Sequence, residues 1–221
     1  MNNRVVVLFL LFFGLVSWKN IVNENLTAKQ IITKANDLTQ GISSSGTIEM
    51  VIERETWSRS VSMKTWSLGT KYSLIYITEP ARDKGQVFLK RGKDMWNWMP
   101  TVSRMVKIPP SMMSQGWMGS DFTNDDLVKM NSIVVDYTHK LIGEEEVNGY
   151  DCYHVALTPL PNAAVVWGKV EMWVSKEHFY TMKADYFDEE MQVVNRMVGS
   201  DIKQMGDRKL PARLEMIPMQ K

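Results

Sequence analysis

Three histidines, one cysteine and three short polar clusters supply the chain's candidates for nucleophilic, acid–base or metal chemistry. Cys152 and His154, in GYDCYHVALTP, stand two residues apart, so an extended backbone puts both on one face. Their side chains then run parallel at roughly 6 to 7 Å, whereas a thiolate–imidazole pair needs hydrogen-bond contact. The dyad fails on geometry, and Cys152 reads as a small buried hydrophobe. His139, His154 and His178 fall in different predicted strands, and none has a second ligand at metal spacing. DFTNDD, residues 121–126, has the carboxylates of a calcium loop but lacks the glycine after Asp125 and the distal glutamate of an EF-hand; helix capping accounts for it. GISSSG, residues 41–46, does not match G-x-S-x-G, and neither GxGxxG nor a P-loop occurs. Glu144, Glu145 and Glu146 lead into Asn148-Gly149 and read as a solvated hairpin approach. These residues predict no enzyme, no cofactor and no metal centre.

What stands out instead is apolar softness. Between Met95 and Met118 lie six methionines (Met95, Met99, Met105, Met112, Met113, Met118) and three tryptophans (Trp96, Trp98, Trp117). Methionine reshapes itself to fit several apolar partners, and tryptophan adds large area with one polar edge. An ordinary core would use the same residues, so composition alone leaves both readings open. Alternation puts Trp96 and Trp98 on one face of their strand and Met95 and Met99 on the other.

The elements that must position these residues follow from periodicity. LTAKQIITKANDLTQ carries Ile31, Ala35 and Leu38 on one face, with Thr27 and Gln30 spaced as a capping box, and predicts an amphipathic helix. From Gly46 the period becomes two: Ile48, Met50 and Ile52 alternate with Thr47, Glu49 and Glu53. The same signal recurs to the C-terminus, from WSRSVSMKTW through SIVVDYTHKL to LPARLEMIP, and predicts eleven or twelve strands without crossover helices. Such a meander argues for a mainly β fold, an antiparallel sheet curled into a barrel or half-barrel. Alternation fails only at 108–131, where PPSMMSQGWM and TNDDLVKM predict short helices, the second opened by a Thr123–Asp126 capping box.

Near-balanced charge, 26 basic against 25 acidic residues, gives no basic stripe and argues against nucleic acid as a partner. The run from Val5 to Trp18 behind Arg4 has signal-peptide length, short of the ~20 residues of a spanning helix. Residues 1–22 are expected to be a signal peptide, with an uncleaved anchor as the alternative, and residues 23–221 a single exported domain. With the single Cys152 such a domain has no internal disulfide, so its core must hold the fold unaided.

Four motifs carry a family resemblance: PARDKG at Pro80 to Gly85, WNWMP at Trp96 to Pro100, RMVKIP at Arg104 to Pro109, and GSDFTNDDL at Gly119 to Leu127. With GYDCYHVALTP and WVSKEHFY, they make the chain from about Thr27 onward resemble the outer-membrane lipoprotein-sorting proteins of the LolA-like superfamily. That resemblance implies a half-open antiparallel β-barrel of about 11 strands, lidded by short α-helices over an apolar cavity. It implies a periplasmic carrier of acylated lipoprotein or lipid cargo rather than an enzyme, working as a monomer with an inner-membrane transporter and an outer-membrane receptor. A lipid-sensing accessory protein that binds a membrane transporter or regulator through the same cavity is the alternative. The cavity and lid are then expected to use Trp96, Trp98, Met99, Met105, Met112, Met113, Trp117, Met118, Phe122 and Leu127, with Gly116 and Gly119 letting the lid move. Relatives continue past the point matching Lys221, which implies truncation or an exposed last strand. Their lid arginine has no aligned counterpart, which leaves Arg59 and Arg104 unassigned.

Overall fold

In the computed structural model, residues 26–128 and 132–220 are described; the apolar run Val5–Trp18 and the expected signal peptide lie outside them. The helix α1 spans Ala28–Gln40. Its first turn is closed as the spacing predicts: the Gln30 N–H donates to the Thr27 hydroxyl (3.3 Å), and the Thr27 N–H donates to Gln30 Oε1 (2.8 Å). It stops at Gly41, whose φ of +61° suits glycine and whose N–H donates to Asp37 O. The Arg208 guanidinium donates to the terminal carbonyls of Leu38 and Thr39, at 3.0 and 3.3 Å, and so supplies the cation this helix end lacks in its own last turn.

Twelve strands follow. β1 (Ser43–Glu53), β2 (Ser58–Leu68), β3 (Tyr72–Glu79), β4 (Val87–Arg91), β5 (Asp94–Met99) and β6 (Arg104–Lys107) pair in chain order as one antiparallel sheet. β7 (Tyr137–Val147), β8 (Tyr150–Pro159), β9 (Lys169–Ser175), β10 (Thr181–Phe187), β11 (Val193–Met205) and β12 (Arg208–Pro218) pair in order as a second, with β12 at its edge. The meander is therefore two six-stranded sheets. It divides at the segment where alternation fails, because residues 108–136 leave β6 and β7 unpaired with each other.

Each sheet buries one face. Ile31, Ile32 and Ala35 of α1 pack on the second sheet against Val155, Leu157, Val170, Met172, Val174 and Ala184. Val61, Met63, Ile77, Phe88 and Met95 of the first sheet are covered by Trp117 from the insertion. Two local expectations change. Ser132–Val135, read as the start of a strand, is a helical turn, α3: Ile133 and Val134 pack against the α1 core, and tertiary contact overrides β-branched propensity. His178 lies in the β9–β10 turn rather than in a strand. Among the described residues no helix is long and apolar enough to cross a membrane.

Candidate functional site: a cleft under the insertion

The insertion is a hydrogen-bonded knot of short turns. Pro110–Met112 and Trp117–Gly119 are 3-10 turns, and α2 spans Asn124–Val128. The expected capping box is present: the Asp126 N–H donates to the Thr123 hydroxyl (3.1 Å), and the Thr123 N–H donates to Asp126 Oδ2 (2.8 Å). Asn124 Nδ2 donates to Met112 O at 2.9 Å, and the Trp117 N–H donates to Phe122 O at 2.6 Å. Gly116 is required by close approach, since a β-carbon there would stand 2.3 Å from Ser120 O. Met118 sits at φ +52°, a left-handed conformation that costs a non-glycine residue on the order of 1 kcal/mol.

Two arginines hold this knot to the first sheet. Arg54, just beyond β1, donates through Nη1 and Nη2 to the two Asp121 carboxylate oxygens, both at 3.0 Å. Arg59 on β2 donates through Nη1 to Met118 O (3.3 Å) and through Nη2 to Asp83 Oδ2 (2.5 Å). Asp83 comes from the Pro80–Gly85 turn, so that motif presents a carboxylate to Arg59. On the other side, Trp167 Nε1 donates to Asp126 Oδ1 at 3.2 Å and Asn195 Nδ2 to Asp121 O at 3.4 Å, tying the insertion to the second sheet.

Between the insertion and the first sheet lies a cleft of about 410 Å³, within the ~300–1,000 Å³ range of small-molecule sites. Phe88, Met99, Val106, Met112, Trp117 and Met118 form its apolar lining, and Arg59, Asp83, Gln86 and Asn97 are among its polar groups. The Trp117 ring meets Phe88 edge-on at 5.3 Å and 74°. Phe88 is in turn the register partner of Asn97.

The structure brings four of the expected site residues, Met99, Met112, Trp117 and Met118, to this cleft. Met113 and Leu127 pack on the adjoining core, and Phe122 contributes its carbonyl to the knot. Trp96, Trp98 and Met105 do not join them. Trp98 pairs with Val87 and Met105, and Trp96 with Leu89 and Lys107, on the face opposite Met95, Asn97 and Met99. That outer face also carries Trp66, Leu68 and Tyr72, all exposed. Arg59, Phe88 and Asn97 were not foreseen as lining; strand alternation aligned Asn97 with Met99, but nothing local marked Phe88 or Arg59 as their neighbours.

The residues first considered for chemistry are occupied structurally. Cys152 is buried, and burial pushes its thiol up to about 11, away from a reactive thiolate. His154 stacks on Trp173 at 3.9 Å and pairs with Glu171 at 3.0 Å. Among the described residues no group of three His, Cys, Asp or Glu side chains could hold a metal ion.

A twelve-stranded antiparallel meander with a helix on one sheet and a short-helix insertion over the other is a LolA-like fold. The chain belongs to a family whose model, described as uncharacterized protein, matches residues 69–221, and it shares a LolA-like fold with solved structures over most of its length. A protein of the DUF1329 family from Desulfovibrio piger is 25% identical with a TM-score of 0.79, over 86% of this chain and 85% of its own. A LolA superfamily protein from Nitrosomonas europaea is 25% identical with a TM-score of 0.75, over 89% and 87%. An outer membrane lipoprotein-sorting protein domain from Vibrio parahaemolyticus shares the fold at 21% identity, TM-score 0.77, over 87% and 85%. A search of curated proteins gives no match.

Proposed function

We propose that the protein is a periplasmic carrier that holds acyl chains of lipoproteins or lipids in the cleft and shuttles them toward the outer membrane. The two sheets act in this reading as a half-open barrel, and the insertion as its lid. The observation that carries it is the apolar cleft of about 410 Å³ roofed by Met112, Trp117 and Met118. A lipoprotein-sorting fold supports the same reading.

The physics of the cargo sets the requirement. Each methylene removed from water is worth about 0.8 kcal/mol, so a 16-carbon chain represents on the order of 12 kcal/mol before ordering costs. Such a chain does not cross water unescorted on a useful timescale. Flexible methionines fit chains of different shape without a rigid mould, which favours a carrier that must also let go. A membrane transporter would load the cleft, and a tighter receptor would empty it.

Transfer between membranes tests the proposal. Donor vesicles carrying a fluorescent acylated peptide are separated from acceptor vesicles by a dialysis barrier that the protein crosses. The carrier reading predicts acceptor fluorescence that rises in proportion to protein concentration. Binding without transfer would move the assignment to a lipid-sensing accessory protein, and no binding would end both.

A further inference from the structure

Among the described residues, three buried polar side-chain atoms on residues that line this cleft have no hydrogen-bond partner in the protein: Arg59 Nε, Trp117 Nε1 and Asn97 Oδ1. Trp117 is 4% exposed, so its indole N–H is out of reach of bulk water. The Arg59 side chain is fixed by its two other nitrogens, which hold Met118 O and Asp83. Asn97 stands opposite Phe88, whose ring touches Trp117. A purely apolar site has no use for these atoms: phenylalanine and leucine would pack similarly without a buried polar group left unmade.

We infer that the cleft reads the head of an acyl ligand as well as its chain, and that the head is a carbonyl bearing an adjacent N–H or O–H. The carbonyl oxygen accepts from Trp117 Nε1 and Arg59 Nε, and the ligand's own N–H or O–H donates to Asn97 Oδ1. Two donors and one acceptor match a carboxamide or an undissociated carboxylic acid; an ester satisfies the donors alone, and a bare hydrocarbon satisfies none. Phe88, Met99 and Met112 then take the chain. The inference rests on the acyl-carrier reading and narrows its cargo.

Displacement of a bound fluorescent fatty acid by N-methyldecanamide, methyl decanoate and decane tests it. Each probe is compared between the natural protein and a variant, so differences in water solubility cancel. Trp117→Phe keeps the ring against Phe88 and loses the N–H; it should weaken the amide and the ester roughly tenfold and leave decane unchanged. Asn97→Leu should weaken the amide by a similar factor and spare the ester and decane. It also serves if Trp117→Phe fails to fold. Equal shifts for all three probes, or none, would overturn the inference while leaving the acyl carrier standing. Failure of the natural protein to bind the fluorescent fatty acid would overturn both.

Discussion

At the scale of single residues, burial separates those that build the fold from those free to serve a ligand. Met112 is 41% exposed and still lines the cleft. Met112→Glu is therefore expected to lower affinity for a fluorescent fatty acid about tenfold while the thermal midpoint moves little, as displacement titration and calorimetry would show. Trp117, at 4% exposed, is part of the first sheet's core, so a charge there should unfold the protein rather than only empty the cleft. Lys90 is also 4% exposed, lies between Ser73 and Met95 in register, and has no ion-pair partner among the described residues. Desolvation lowers its pKa from 10.5 to about 8. The unfolded chain then binds the extra proton between those values, so stability should rise as pH goes from about 8 to 10.5. Lys90→Met should remove that rise and stabilise the protein at neutral pH by roughly 1–3 kcal/mol, read from denaturant titrations at several pH values. Cys152, buried with its pKa raised to about 11, should resist iodoacetamide in the native state and react only on unfolding.

At the scale of elements, Arg54 and Arg59 fix the insertion over the cleft. Arg54 and Asp121 are both partly exposed, so their bidentate pair is discounted for solvent and should contribute about 1 kcal/mol. Asp121→Ala is expected to speed amide hydrogen exchange in 113–128 more than in either sheet; uniform acceleration would mean that the pair serves global stability. Both capping boxes and the run of strands were legible, because the spacing of a hydroxyl from a carboxamide (Thr27–Gln30) or a carboxylate (Thr123–Asp126) and period-two alternation are local properties. α3 was misread because Ile133 and Val134 have strand propensity and only their contact with the α1 core makes them helical. The Arg54–Asp121 pair spans 67 residues and left no local trace.

At the scale of the whole molecule, alternation showed which side chains share a face but not which face would be covered. Trp96, Trp98 and Met105 looked like lining for that reason: the insertion closes over the face of Phe88 and Met95 instead. The division into two sheets was likewise hidden, since strand pairing is decided by contacts distant in sequence. The cleft sits between the insertion and the first sheet, and its occupancy is the central claim. Native mass spectrometry of the protein exposed to a bacterial lipid extract tests it most directly. The account predicts a bound acyl lipid or acylated peptide, released by Met112→Glu. A protein that stays empty and takes up no fluorescent fatty acid would contradict it and return the methionines and Trp117 to packing alone.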